Sequence, residues 1–475
     1  MESGYNILST ISTPWDDLIP VVPENQTQFY LDIIRIYLGL YSGNLSMDVA
    51  LRAVEQLKEN PQYALTPIDP TLFPLNESIK SKIIENLNTL KKYNLYTTDS
   101  VKSAYSFALL AQDAPLNQND IDVLKAFILK PNESFVKISE KLGIASRTAA
   151  RSLERMHNRR QIRFTCLTDL SAFGINEYIL FFRVKEGIEW ADIENSLAHY
   201  QFIKGILKTS MTDLGYFTFM IPNVPEYIAV FKRSTNELAN LLFDYMTLHE
   251  REIAGSHTNL SLFNGTEWSK PEDFESFLET STPSQEKAVS TKYLVNGGPK
   301  QNLIIEDLAI ASHLATDFRQ IPSKLSQILS IRGWHFDPKQ VSSSIRRLLR
   351  NNVVLPCVVI GGVNLSTAFV FEVLCNEKWK NKLMERIPLL PSSVTFTSDK
   401  GIIVWTNVPS YHQVDYYQLF RSLETKSGIK SVQPIMTLQS RGSRQMYDFI
   451  KLWDKKSEGW SIDPNDLDLT QFIGY

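Results

Sequence analysis

The stretch Ser146–Phe164, SRTAARSLERMHNRRQIRF, decides how the rest of the chain is read. Its pattern predicts a short helix that runs through a polar turn into a strand. A helical residue advances by about 100°, so with Arg147 at zero, Arg151, Arg155 and Arg159 fall at about 40°, 80° and 120°. Ala149, Leu153 and Met156 fall at about 200°, 240° and 180° on the same wheel. One stripe is apolar and faces a core; the other is arginine, with Glu154 as its one acid. Most charged faces are simply solvated. A stripe made of arginine, standing behind a helix and a turn, has instead the form of a surface for a polyanion.

The residues before it complete that form. Ile121, Leu124, Phe127 and Ile128 recur at helical spacing, and the PNES turn stops that helix. Phe135–Leu142 predicts a second short helix, and GIAS is the turn between them. Gly143 suits a left-handed C-cap, and Ser146 an N-cap. A strand over 162–167 closes a winged helix. Between Lys137 and Arg163 stand eight basic and two acidic residues, a local +6 in a chain whose net charge is −3. Nucleic-acid binding is therefore a property of patches, not of the whole molecule.

At 475 residues the chain is too long for one domain and suggests three to five. The three cysteines, Cys166, Cys357 and Cys375, form no CxxC, which excludes a disulfide framework or zinc knuckle and fits a reducing compartment. The N-terminus lacks a basic region followed by an apolar one, so no signal peptide is expected. No apolar run approaches the ~20 residues that span a bilayer. A cytoplasmic protein is expected.

Residues 1–25 read as an extended arm. Helices follow over 29–41 and, N-capped by Ser46, through Leu57. A proline-rich connection (Pro61, Pro67, Pro70, Pro74) leads to a helix over 78–93, and YNLYTTDS reads as a strand. This order predicts a degenerate winged helix used for packing, with a DNA reader as the second reading.

The run DIDVLKAFILKPNESFVKISEKLGIASRTAARSLERMHNRRQIRF, followed by TDLSAFGINEYILFFRV, resembles the Lrp/AsnC family of leucine-responsive and asparagine-synthase regulators. The resemblance implies a helix-turn-helix, a linking strand and a ferredoxin-like βαββαβ domain. The following pattern agrees: strand 178–184, helix 190–200, hairpin strands 206–210 and 216–221, helix 226–243 and a last strand 248–254. It also implies dimerisation through that domain and, often, an amino-acid effector near a turn glycine. Here the turns read SMTDLGY and TSDKGII, so the family's glycine is not cleanly matched. Asp213, Gly215, Asp399 and Gly401 read first as tight hairpins and second as a small-molecule effector site.

The pattern then repeats. After a polar linker, helices are predicted over 303–316 and 322–329, and Asp337–Pro338 opens a third. On that third helix Val341, Ile345, Leu348 and Leu349 share a face, opposite Lys339, Arg346, Arg347 and Arg350. From Lys324 to Arg350 six basic residues face one acid, a local +5. TDLGYFTFMIPNVP, from Thr212, matches SDKGIIVWTNVP, from Ser398, and SLERMHNRRQI, from Ser152, matches SIRRLLRNNVV, from Ser344. A hairpin and a recognition helix matching in the same order argue for duplication. Two ferredoxin-like domains in one chain predict an internal pseudo-dimer. The final helix is expected over 441–453, with an acidic tail after it.

No GxSxG, P-loop, HExxH or CxxC occurs, and the seven histidines form no pair at metal-ligand spacing. No cofactor or metal is expected, and no enzyme activity. The expected architecture is α+β, with tandem winged-helix and ferredoxin-like units after an N-terminal helical domain. Its divisions are 1–115 helical or degenerate winged helix, 116–170 winged helix, 171–280 ferredoxin-like, 281–302 linker, 303–362 winged helix, 363–440 ferredoxin-like and 441–475 helix and tail. The expected function is a sequence-specific double-stranded DNA-binding transcriptional regulator with two reading heads. In the first, Ser146, Arg147, Thr148 and Arg151 lie nearest base edges, and Arg155, Arg159, Arg160 and Arg163 nearest phosphates. In the second, Ser342, Ser343 and Arg346 read, beside Lys339, and Arg347 and Arg350 meet phosphate. Two rivals stand beside this: an enzyme like the siroheme decarboxylases, which share the two-part fold, and a protein-interaction scaffold. The first would want histidine and basic side chains converging in the ferredoxin-like layer, and the sequence displays no such cluster.

Overall fold

The computed structural model describes residues 7–60, 63, 70, 77–108, 116–158, 162–209, 213–271, 274, 289–300, 302–437 and 445–472, with backbone alone at 106, 107, 157, 158, 208 and 437. The chain is α+β: helices and antiparallel sheets that form winged-helix and ferredoxin-like units behind a helical domain.

Helices α1 (Asn25–Ser42), α2 (Met47–Leu57), α3 (Glu77–Tyr93) and α4 (Thr98–Ala108) build that domain. Every residue from Phe29 to Gly39 is buried, so α1 needs partners on all sides and becomes the axis. The strand expected at YNLYTTDS is absent. Asn94 takes a left-handed turn (φ 53°), and the Thr97 hydroxyl accepts from the Ser100 amide and starts α4 instead. Nor is the start of the chain an extended arm, since Ile11, Leu18 and Ile19 are buried against the helices.

The first head comprises α5 (Gln118–Leu129), α6 (Phe135–Leu142), α7 (Ser146–Asn158) and β1 (Ile162–Thr168). Gly143 caps α6 in the left-handed conformation, as its place in the turn predicts. The ferredoxin-like unit follows: β2 (Ile175–Val184), α8 (Trp190–Ala198), β3 (Ile203–Lys208), β4 (Leu214–Pro222), α9 (Pro225–Leu242) and β5 (Phe243–Glu250), with strand order β3-β4-β2-β5. The expected last strand over 248–254 is two strands. β5 starts directly from α9, and Ala254 belongs to β6 (Ile253–Asn259), which leaves for the other sheet. The expected linker also contains β7 (Val289–Val295), paired to β6; its first residues, 281–288, lie outside the described residues.

The second head comprises α10 (Asp307–Leu314), α11 (Pro322–Ile331), α12 (Pro338–Arg350) and β8 (Val354–Ile360). Its ferredoxin-like unit has β9 (Thr367–Cys375), α13 (Glu377–Arg386), β10 (Ser392–Ser398), β11 (Gly401–Val408), α14 (Gln413–Ser422) and β12 (Ile429–Thr437), in the order β12-β9-β11-β10-β6-β7. The two sheets lie face to face. Ile179, Phe181, Leu207 and Tyr216 pack on Val370, Phe396, Ile403 and Ile435, and Trp405 Nε1 donates to the Tyr216 hydroxyl at 3.1 Å. The two ferredoxin-like sheets thus pack on each other within one chain.

The two halves also exchange segments. Neither head closes its own wing: β1 pairs antiparallel with β8, centred on Thr165 opposite Cys357. Trp268, after the first unit, donates to the Val363 carbonyl at 2.6 Å, and Trp460, after the second, donates to the Phe173 carbonyl at 3.0 Å. Tyr411 grips the Trp268 backbone, and Tyr227 that of Trp460. The end of the chain is thus neither one helix nor a free tail. Residues 441–444 lie outside the described residues, Met446–Leu452 is a 3-10 helix, and Leu467 and Leu469 are buried. Among the described residues no helix is long and apolar enough to cross a membrane.

Candidate nucleic-acid interface

α7 and α12 are both 13 residues long, so they align without a gap from Ser146 with Pro338 to Asn158 with Arg350. Their buried positions correspond: Ala149 with Val341, Ser152 with Ser344, Met156 with Leu348. What differs is where each outer face carries its charge.

One arginine of each helix is paired with a buried carboxylate. Arg347 Nε and Nη2 donate to the two carboxylate oxygens of Asp307, at 2.8 and 2.5 Å, and the Ser344 hydroxyl donates to the same carboxylate. At the aligned position Arg155 Nη2 donates to Asp120 at 2.5 Å and to the Ser152 hydroxyl at 3.1 Å. Asp120 and Asp307 are fully buried on the first helix of each head. A buried carboxylate is stable only when paired, so the cation is committed to it. The Asp307 hydrogen bond raises the pKa of Arg347. Arg155 and Arg347, expected on phosphate, therefore bolt the recognition-type helix to the helix beneath it.

Arg147 and Arg151 remain. Both are exposed and form no ion pair among the described residues, with Ser146 exposed beside them and Thr148 half-buried. Arg163 is exposed on β1, opposite Val359. Arg159 and Arg160 lie outside the described residues. In the second head Lys339, Ser343, Arg346 and Arg350 are exposed. The Ser342 hydroxyl is spent on the Pro338 carbonyl at 2.7 Å. Arg346 curls back, donating to the Ser342 carbonyl at 3.2 Å and the Ser343 hydroxyl at 3.4 Å. The first helix thus shows its free arginines in its first two turns, and the second shows them in its last two.

The second turn has the geometry of a tight hairpin. Asp399 and Lys400 form a two-residue turn, with Ser398 paired to Gly401. A Cβ on Gly401 (φ +148°) would lie 2.1 Å from the Val373 carbonyl oxygen. At the aligned Gly215 it would lie 2.5 Å from both the Leu207 carbonyl oxygen and the Phe182 ring. Close strand packing accounts for both glycines. Asp213 is exposed where the first turn enters β4, and residues 210–212 lie outside the described residues.

The fold does bring together a cluster that the sequence hides. His249 on β5 bonds Ser398 Oγ through Nδ1 at 2.8 Å and Glu372 Oε1 through Nε2 at 2.7 Å. The Tyr245 hydroxyl donates to Glu372 Oε2 at 2.6 Å and accepts from Thr247 at 3.1 Å. Burial, and then the Glu372 charge, push the Tyr245 pKa up. The alternation of Tyr245, Thr247 and His249 on one strand face was the available signal; their partners lie in the other sheet, more than a hundred residues away. His249, Glu372 and Ser398 have no solvent contact. With its polar atoms mutually satisfied, the network is a polar joint between the two sheets. Among the described residues no group of His, Cys, Asp or Glu is arranged to hold a metal ion.

No family model matches the sequence, and neither does any curated protein. Among solved structures, the chain is similar to the siroheme decarboxylase NirDL, at 11% identity over 74% of this chain and 98% of that one, with a TM-score of 0.37. The same enzyme in complex with an iron-uroporphyrin III analogue gives a TM-score of 0.37, over 97% of its length. The protein PH0061 is 13% identical over 29% of this chain and 92% of its own, with a TM-score of 0.21. At these TM-scores the likeness decides nothing about this chain's chemistry.

Proposed function

We propose that this chain is a non-enzymatic, double-stranded DNA-binding regulator carrying two unequal winged-helix heads on an internal pseudo-dimer. The observation that carries the reading is the division of labour among the arginines of α7. Arg155 is held by Asp120, while Arg147 and Arg151 project from the first two turns with no ion pair among the described residues. First-turn arginines of a helix-turn-helix face base edges, and arginine pairs bidentately with guanine O6 and N7.

The link between the heads supports the same reading. Arg319, in the loop after α10, lies between the rings of Phe127 and Phe135 at 4.6 and 4.8 Å. It donates to the carbonyls of Pro131 and Glu133 at 2.8 and 2.9 Å. A loop of the second head thereby holds the helix-turn-helix of the first. Heads in a fixed pseudo-two-fold relation suit two half-sites on one duplex. The test is a salt titration of duplex binding, in which affinity falls steeply as salt rises. Arg147→Ala with Arg151→Ala abolishes preference for a selected site; a double variant that keeps full preference overturns the assignment.

A further inference from the structure

The last two turns of α12 border a cavity of about 310 Å³, lined by Asn302, Ser343, Arg346, Arg347, Arg350 and Asn351. Three arginines and two asparagines line it, with no acidic residue in the lining. Asp307 is engaged by Arg347, and its neighbour Glu306 accepts from Lys455 at 3.0 Å. Arg347 therefore forms a fixed wall, while Arg346 and Arg350, one helical turn apart, remain exposed and make no ion pair among the described residues.

The first head lacks this arrangement. In the gapless alignment of the two helices, Arg346 replaces Glu154 and Arg350 replaces Asn158. The change at one position is a full charge reversal, on a backbone frame whose pairing of an arginine with a buried aspartate is otherwise repeated. Arginines near a helix C-terminus complement its partial negative charge, an effect of about 0.3–1 kcal/mol each at the surface. That accounts for cations near the end of α12. It does not account for a cavity framed from outside the helix by the amide of Asn302.

We propose that this cavity is a seat for a phosphate group, taken from a free phosphorylated small molecule or from the backbone diester of DNA. The planar fork of Arg350 matches phosphate oxygens bidentately, Arg346 can add a second fork by exchanging its bonds to the Ser342 carbonyl and Ser343 hydroxyl, and Asn302 adds a neutral donor. The seat goes beyond the DNA reading: the free-anion source needs no duplex, so failure of that reading leaves the first arm of the test intact.

The full-length chain is dialysed against radiolabelled inorganic phosphate in low-salt buffer, beside Arg346→Glu, Arg350→Gln and the surface control Lys430→Glu, whose charge change equals that of Arg346→Glu. One saturable phosphate per chain, weakened about tenfold or more in the two arginine variants and unchanged in the control, identifies a free-anion seat. In the second arm the salt dependence of duplex binding is compared between wild type and Arg350→Gln. A slope lower by about one phosphate contact in the variant, with no saturable free phosphate, identifies the DNA diester as the source. Phosphate binding reduced equally by Lys430→Glu, or both arms unchanged in the arginine variants, overturns the seat.

Discussion

Arg347 closes a two-point hydrogen bond on the carboxylate of Asp307, and it does so at the position where Arg155 holds Asp120 in the first head. The same serine accompanies each pair. The repeated feature of the two heads is thus a structural bolt, and the features exposed to a partner are the ones that have diverged.

A stability experiment separates bolt from contact. Asp307→Ala removes the partner of Arg347 and the acceptor of Ser344, and is expected to cost about 2 kcal/mol, read as a lower urea midpoint. Arg347→Gln should lower stability in the same assay while leaving the salt slope of duplex binding unchanged. A slope that falls as it would for a phosphate contact, with stability intact, would return Arg347 to the DNA surface.

Base reading and backbone anchoring leave different signatures. Arg147→Ala and Arg151→Ala are each expected to cost about 1–3 kcal/mol at a preferred site. Non-specific affinity should change far less. Competition between selected and random duplexes measures the ratio, and equal losses on both would make these side chains anchors.

Gly401→Ala tests the hairpin. Its Cβ would meet a backbone oxygen that has no rotamer by which to move. The expected loss is about 2 kcal/mol or more, seen in thermal or urea unfolding. A variant of wild-type stability would show that the strands yield there.

Acid sensitivity should come partly from two buried histidines. Burial depresses His257 and His313 from 6.5 to about 3, with Lys58 adding to the effect on His313. As the pH falls below 6.5 the unfolded chain takes up protons that the folded chain refuses. Stability is therefore lost across the window from about 6.5 to about 3, by at most about 1.4 kcal/mol per pH unit for each group. His313→Gln should flatten the pH dependence of the urea midpoint; an unchanged slope would mean that His313 is already protonated in the fold.

Much of this architecture was legible from periodicity. The three helices of each head and the alternating strands of each ferredoxin-like unit write their burial directly into residue spacing. Gly143 and the Asp337–Pro338 start are local signals that need no tertiary help. What the sequence hid was long-range. Nothing near Arg155 announces Asp120, because a phosphate-facing arginine and a bolted one occupy the same helical stripe. His249 gives no hint of Glu372 until two sheets are laid together. β7 is short and pairs only with β6, whose first residues continue the pattern of the preceding strand, so its place in the sheet is not written into its own spacing. Strand pairing depends on what lies alongside, and that information is not local.

The exchanged wing has a consequence for biosynthesis. β1 ends at Thr168, and its partner strand starts at Val354, so the first head is made long before its wing can be paired. During that interval the emerging chain carries an open strand edge of seven residues, IRFTCLT, three of them basic or polar. Unpaired edges recruit other strands, and distant pairing is slow to form. A ribosome that stops before Val354 releases a first head with α7 complete and its edge still exposed. The pairing of β1 with β8 makes the first head depend on the second for a finished surface, so quality control has reason to act on the half-made chain as on a misfolded one.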